Sequence, residues 1–303
     1  VQADCLACGR RGALWTTKAG RDVWRCALCR LVWVPEGLVV GEGGATIYEG
    51  ETPIFLRDGN EQYYLDETNL ISCRQKVGWI AEHVRPGARL LDAGANFGHF
   101  LSVARDRYDA VGVELSRAAV EWGREHFGVN NHAASIYALP PDLVGPYDAV
   151  TLFDVIEHVP QPRAALEALR RVLVSGGLLF LSTPDAGSRA ARAMGTRWHY
   201  LDPVQHIVLF NRANLTRMLE ATGFEVLGVR AFGHHYRVGY VLDRLSYLHD
   251  RGLLGRATSL ARVVGAPAAK RTIYVNLGDV MGIVARARPA DAGSPKPGAS
   301  NPR

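Results

Sequence analysis

The sequence contains no apolar run approaching the ~18 residues that a helix needs to cross a bilayer. Its first residues lack the charged-then-apolar layout of a secretion signal, and the expectation is a cytoplasmic protein. Internal repeats are absent. Cysteine is scarce, with 5 in 303 residues. Four of the five form two C-x2-C pairs, which suit metal binding in a reducing compartment better than disulfides. There is also no dense basic run: the net charge of +5 is spread along the chain, so it permits an anionic partner without demanding one. What is present is ordinary for a soluble globular protein, 48% hydrophobic and 21% charged residues. The length is enough for one full α/β domain plus small additions.

Residues 1–34 read as a cysteine-bearing module with β-prone pieces at Arg21–Arg25 and Leu31–Val34. Residues 35–68 read as a linker or lid, Gly-rich up to position 50. An apolar helical periodicity then runs from about Asn69 to Val84, stopped by Pro86 and Gly87. From Arg89 onward strand and helix signals alternate. Strands are expected at 89–92, 110–115, 147–153, 178–182, 224–231 and 279–287; helices are expected at 97–108, 117–127, 163–174 and 213–222. Regular alternation predicts an α/β fold, a mostly parallel sheet with helices on both faces. The domain spans 69–287, with a mainly helical insertion at about 233–274, and the Pro/Gly/Ala/Ser-rich tail 288–303 reads as disordered.

The best local signal is Leu90-Leu91-Asp92-Ala93-Gly94-Ala95-Asn96-Phe97-Gly98. A strand ends in an acid, and a Gly-rich turn then leads into a helix. Glycines there let the backbone approach a ligand closely, and the acid Glu114 closes the next strand about 20 residues on, where a ribose diol is expected. The spacing differs from the dinucleotide fingerprint G-x-G-x-x-G. A carboxylate two residues before the first glycine is poorly placed for a pyrophosphate but well placed for an amino-acid ammonium, which points to S-adenosylmethionine rather than NAD.

Here the chain resembles the class I S-adenosylmethionine-dependent methyltransferases, whose first motif is D/E-x-G-x-G-x-G. Asn96 replaces the middle glycine, and Asn tolerates the left-handed backbone better than most residues. Two further stretches resemble later motifs of that superfamily: Phe153-Asp154-Val155-Ile156-Glu157-His158-Val159, in the "EHV" form of small-molecule enzymes, and Ser175-Gly176-Gly177 before the fifth strand. The resemblance covers roughly residues 69–287 and implies a Rossmann-like sheet whose last strand is antiparallel. It further implies that Asp92, Gly94, Asn96 and Gly98 cradle the methionine part of the cofactor. Glu114 would bind the ribose and Leu115 would pack on adenine. Ser135 and Ile136 would flank the adenine edge, and Phe153 would line the methionine pocket.

Cys5, Cys8, Cys26 and Cys29 have zinc-ribbon spacing. Two knuckles give tetrahedral S4 ligation, the closed geometry of a structural Zn2+, and Gly9 fits a knuckle turn. A metal would supply much of the folding energy of so short a segment. Cys73, alone in a helical pattern, reads as a buried inert thiol.

Methyl transfer from a sulfonium is a direct displacement in which positioning does much of the work; a hydroxyl acceptor also benefits from a general base, most often His. His206, in the Trp198–His206 segment after the fifth strand, is the leading candidate. His158, after the fourth strand, is the second. His99 reads as helix-start packing and His199 as a surface residue. Trp198 and Tyr200 are candidates to stack on the acceptor, against ordinary loop packing, and Tyr63 and Tyr64 to lid the cofactor.

The expected activity is O-methylation of a sugar, glycan or secondary metabolite, with methylation of carbon or a carboxylate as an alternative. RNA guided by the zinc ribbon is a third acceptor class. It is disfavoured because the chain lacks both the N/D-P-P-aromatic motif of base-nitrogen methylation and a Pro-Cys motif for carbon-5 attack. Nothing in the sequence indicates an oligomeric state.

Overall fold

A computed structural model describes residues 4–38, 67–239 and 271–289. Tyr63, Tyr64, most of the 35–68 segment and the tail from 290 lie outside the described residues. Among the described residues, no helix is long and apolar enough to cross a membrane.

The chain folds around a seven-stranded sheet. Its strands are β4 (Arg89–Ala93), β5 (Asp109–Glu114), β6 (Asn131–Ala133), β7 (Tyr147–Phe153), β8 (Leu173–Pro184), β10 (Phe224–Arg237) and β11 (Thr272–Ala287), in the order β10-β11-β8-β7-β4-β5-β6. β4 pairs in parallel with β5 and β7, β5 with β6, and β7 with β8. β11 is antiparallel to both of its neighbours. This is the expected Rossmann-like α/β sheet. The chain runs outward from β4 through β5 to β6, then returns to the other side of β4 with β7. That reversal opens a crevice at the carboxyl ends of the strands, where ligands bind in doubly wound sheets.

The helices are α1 (Glu67–Ala81), α2 (His99–Ala104), α3 (Arg117–Phe127), α4 (Pro162–Val172), α5 (Arg189–Met194) and α6 (Arg212–Ala221). α4 shows why these segments are helical. Ala165, Leu166, Leu169 and Val172 recur at helical spacing and are buried in the core. Truncating a fully buried leucine such as Leu166 to alanine costs about 2–5 kcal/mol. α2 is shorter than the expected 97–108, because Gly98 and Arg105 bound a six-residue helix.

One sequence expectation changes. β10 and β11 continue into the 233–274 range, pairing His234 with Val275 and Arg237 with Thr272. The β-branched and aromatic run Thr272-Ile273-Tyr274-Val275 favours strand, so the insertion shrinks at both ends, and residues 240–270 lie outside the described residues.

The cysteine module joins the α/β domain through a shared sheet. Strands β1 (Gly12–Lys18), β2 (Arg21–Cys26) and β3 (Val32–Trp33) form a sheet whose fourth member is β9 (Val208–Leu209), contributed by the α/β domain. The β1–β2 turn has Ala19 and Gly20 both at positive φ, the type I′ geometry that matches hairpin twist.

Candidate active site

A cleft of about 170 Å³ opens at the carboxyl ends of β4, β5 and β7. Gly94, Asn96, Glu114, Leu115, Ser135, Ile136 and His158 line it. Six of the nine residues expected at the cofactor are therefore brought together. Gly94 has φ +81, and a Cβ there would meet Val155 Cγ2 at 2.5 Å, so the turn requires glycine. Asn96 holds the left-handed φ of +49. Its amide donates to Glu114 Oε2 at 2.9 Å, its carbonyl accepts from Asn131 Nδ2, and its buried Oδ1 has no partner among the described residues. Ser116 N donates to the other Glu114 oxygen at 2.9 Å. Burial raises the Glu114 pKa above its ordinary value. A buried carboxylate at an apolar-walled cleft fits a ligand with hydroxyl groups and a flat ring.

The other three expected residues stand behind the wall, not on it. Asp92 is 3% exposed and accepts from Thr151 Oγ1 at 2.6 Å, because β4 and β7 align these two residues. Burial pushes its carboxyl up to about 6. Gly98 supports the turn, since a Cβ there would meet Val129 Cγ2 at 2.6 Å. Phe153 packs between Trp79 and Phe100, with Lys76 Nζ 4.6 Å from its ring centroid.

Next to the cleft stands a second group. Glu157, His158 and His206 offer a carboxylate oxygen and two ring nitrogens within 4.8 Å of one another. His158 Nδ1 lies 2.8 Å from the Gln205 carbonyl and His206 Nδ1 lies 2.7 Å from the Tyr200 carbonyl. A carbonyl only accepts, so each neutral ring carries its hydrogen on Nδ1 and its lone pair on Nε2. Burial holds both imidazoles below the usual histidine pKa, and for His206 the neighbouring His158 adds to this. Glu157 is 1% exposed and accepts from Thr183 Oγ1 at 2.9 Å; burial, with the charge of Asp154, pushes it up to about 7. The arrangement can take and pass a proton.

Sequence reasoning did not assign Glu157, Asp154, Lys76 or His234. Asp154 sits at φ +56, in a region sparsely populated by residues other than glycine, and is held by Lys76 Nζ and Ser182 Oγ, both at 2.8 Å. Burial opposes its charge, but Lys76 and then His234 keep its carboxyl well below the usual range. His234 Nε2 is 3.0 Å from Tyr200 Oη. Asp154 and Glu157 lie inside the D-V-I-E-H-V stretch and were visible as acids at a strand end. Lys76 and His234 come from α1 and the β10 extension, and no local pattern announces them.

Trp198 is 2% exposed, and its indole donates to Asp279 Oδ2 at 3.0 Å, so it packs rather than facing the cleft. His199 is exposed, and His99 packs among Phe97, Trp122 and Phe127, as expected. Burial pushes the lone Cys73 thiol up to about 12, in keeping with an inert residue.

In the module, Cys5 Sγ and Cys29 Sγ are 3.4 Å apart, and Cys8 Sγ and Cys26 Sγ 3.6 Å. These separations exclude disulfide bonds of ~2.05 Å and approach the ~3.8 Å edge of a tetrahedron with Zn–S bonds of ~2.3 Å. Cys29 N points at Cys26 Sγ across the second knuckle, and Gly9 takes φ +68 in the first. The four sulfurs fit a divalent ion.

Residues 60–229 match the family described as "Methyltransferase domain". A 122-residue stretch is 30% identical to the ubiquinone biosynthesis O-methyltransferase of Azotobacter vinelandii, over 38% of this chain and 53% of that protein. The protein of the same name from Xanthomonas campestris pathovar campestris is 36% identical over 116 residues, 36% of this chain and 48% of the relative. The chain spans about half the length of these curated relatives. Among solved structures, a SAM-dependent methyltransferase from Thermotoga maritima superposes with a TM-score of 0.52 at 18% identity, covering 78% of this chain and 99% of that one. Another from Archaeoglobus fulgidus gives 0.50 at 17%, covering 75% and 97%. At such identities the structural likeness concerns the fold.

Proposed function

The chain belongs to the methyltransferase-domain family, and on that premise we propose that it transfers the methyl group of S-adenosylmethionine to a hydroxyl of a small molecule, such as a sugar, a glycan or a secondary metabolite. The observation that carries this reading is the pair of neutral imidazoles beside the cleft, each with Nδ1 tied to a backbone carbonyl. S-adenosylmethionine supplies an electrophilic methyl group on a sulfonium that leaves with the C–S electron pair. Glu114 and the Gly94–Gly98 turn hold the ribose and methionine parts, Leu115 and Ile136 the adenine. Asp92 acts from behind, bracing the turn through Thr151. His206 Nε2 takes the hydroxyl proton as the acceptor oxygen bonds to the methyl carbon, with His158 as its neighbour between base and cofactor. The curated relatives named for O-methyl transfer support oxygen as the acceptor atom.

Cys5, Cys8, Cys26 and Cys29 hold one structural Zn2+ in this reading. All four ligands are protein sulfurs, so the ion takes no part in the chemistry.

The test is a screen with methyl-labelled S-adenosylmethionine against sugars, nucleotide sugars, glycans, phenolic metabolites and RNA. Label in a small-molecule hydroxyl, lost in His206→Ala, supports the reading. Label confined to RNA, to carbon or to a carboxylate would overturn it.

A further inference from the structure

A second crevice, of about 210 Å³, lies on the other side of the Trp198 segment, between the cysteine module and α5. Three arginines line it: Arg25 and Arg30 from the module, and Arg192 from α5. Among the described residues, no Asp or Glu lines it. Trp15 and Trp198 form aromatic walls. We propose that this crevice is an anion site, which binds the phosphate or diphosphate group of a ligand.

Arg25 makes the strongest case. Its guanidinium carbon lies 5.0 Å from the Trp15 ring centroid, and its Nε is buried with no hydrogen-bond partner. A buried donor on a charged group is costly to leave unmade. Two like charges share one crevice with no carboxylate among the described residues lining it. An anion between the guanidinium groups relieves the repulsion.

Arg30 is the second observation. It follows Cys29 directly and takes φ +63, with its amide on the Cys26 carbonyl at 3.1 Å. That left-handed position in the knuckle favours Gly or Asn. An arginine there tolerates backbone strain while its side chain reaches the crevice. Strain of this kind clusters where a side chain has a task.

The ligand class follows from the donors. Guanidinium groups form planar forks that match phosphate oxygens bidentately. A crevice of this volume holds a diphosphate, and the tryptophan at its rim offers a flat apolar face to whatever group is esterified to it. Its position also bears on the acceptor. Trp198 lines the crevice, its ring is 5.6 Å from that of Tyr200, and the Tyr200 ring is 5.9 Å from that of His206. The crevice and the methyl-transfer site thus flank one short segment. Anchoring the acceptor by its diphosphate rests on the methyl-transfer reading; binding of the anion does not.

The experiment is a calorimetric titration of the zinc-loaded full chain with inorganic pyrophosphate, in wild type, Arg30→Gly, Arg192→Gln and the control Arg163→Gln. Arg30→Gly suits the left-handed backbone, and Arg192 and Arg163 are exposed, so these variants fold. The expected result is saturable binding in wild type. Each crevice variant should weaken it about tenfold, the loss of one charge-assisted contact, while the control leaves it unchanged. Absence of saturable binding at millimolar pyrophosphate, or an equal loss in Arg163→Gln, would overturn the proposal, the latter showing diffuse attraction to a basic surface. Two further arms identify the source of the group. Labelled methyl transferred to a nucleoside-diphosphate sugar places the diphosphate on the acceptor. Binding of a free nucleoside diphosphate, with no label passing to the sugar form, places it on a separate ligand. Failure of all methyl transfer with pyrophosphate binding intact would refute the proposed function and leave the anion site standing.

Discussion

The side-chain amide of Asn211 donates to the backbone carbonyl of Cys29 across 2.9 Å. One residue caps α6 in the α/β domain, and the other belongs to the second cysteine knuckle. The same carbonyl accepts from Asn214 Nδ2 at 3.3 Å. Around this point the module and the acceptor-side segment are sewn together. Val34 N donates to the Ile207 carbonyl, Ile207 N to the Glu157 carbonyl, and Arg21 to the Pro203 carbonyl. Val34, just after the second knuckle, is two hydrogen bonds from Glu157 by way of Ile207. These contacts tie the module to the segment that carries His206.

Replacing Asn211 by alanine should therefore do more than remove a cap. Asn211 Oδ1 accepts from Asn214 N at 3.0 Å, and Asn214 Oδ1 accepts from Asn211 N at 2.9 Å, a reciprocal capping box. Loss of the cap costs about 1–2 kcal/mol, and the Cys29 carbonyl loses its better donor. Thermal unfolding should fall by a few degrees, and chelator should strip the metal faster than in wild type. An unchanged rate of metal loss would show that the contact does not couple the two parts.

Removal of the ion is the broader version of that test. So short a module builds little core of its own, so a bound ion would supply much of its folding energy. Metal analysis should give about one equivalent of zinc, abolished in Cys26→Ser. Chelation should raise amide exchange in residues 4–34. It should also raise exchange at Val208 and Leu209, because β9 loses its partner strand. Binding of S-adenosylhomocysteine should persist, since none of residues 4–34 lines the cleft. A metal-free module with protected amides would refute the structural role.

Much of this was legible beforehand. The β4 strand, the Gly94–Gly98 turn and Glu114 are local in sequence, and the chemistry of a tight turn writes itself into residue type. The left-handed Asn96 was readable for the same reason. Strand β1 went unread although the Lys18-Ala19-Gly20-Arg21 turn marked a hairpin, because Thr16 and Thr17 weaken the apolar alternation. Partners distant in sequence were out of reach. Lys76 meets Asp154, and Val32 meets Leu209, only through the topology. The location of Asp92 behind the cleft wall depends on its pairing opposite Thr151, which no single strand reveals.

That placement separates two mutations that look alike in sequence. Glu114 lines the cleft, so Glu114→Gln keeps the shape but removes the charge that two backbone amides and the expected ribose share. Affinity for S-adenosylhomocysteine should drop about tenfold or more, the scale of a charged hydrogen bond. Asp92→Asn should cost less affinity and mainly affect stability, because its carboxylate bonds to Thr151 and not to the cleft. Calorimetry paired with thermal unfolding reads both. A larger affinity loss for Asp92→Asn than for Glu114→Gln would place the Asp92 carboxylate against the ligand after all.

The histidine pair gives the sharpest prediction about chemistry. Both rings present Nε2 as acceptor, but only His158 lines the cofactor cleft among the described residues, while His206 sits beside it with ring centroids 4.9 Å apart. His206→Ala should lower kcat by about 10²–10⁴-fold, the usual worth of a positioned base. It should leave S-adenosylhomocysteine affinity nearly unchanged. His158→Ala should instead raise the KM for S-adenosylmethionine as well as slow turnover, because it removes part of the cleft wall. His206→Asn separates the role of the lone pair from that of the ring's bulk: an amide fills part of the space but takes up no proton, so its kcat should be as low as that of alanine. If His158→Ala abolishes turnover and His206→Ala does not, the base is His158 and His206 orients it. If neither variant changes kcat, the acceptor is already acidic, a phenol or carboxylate, and transfer runs on proximity alone.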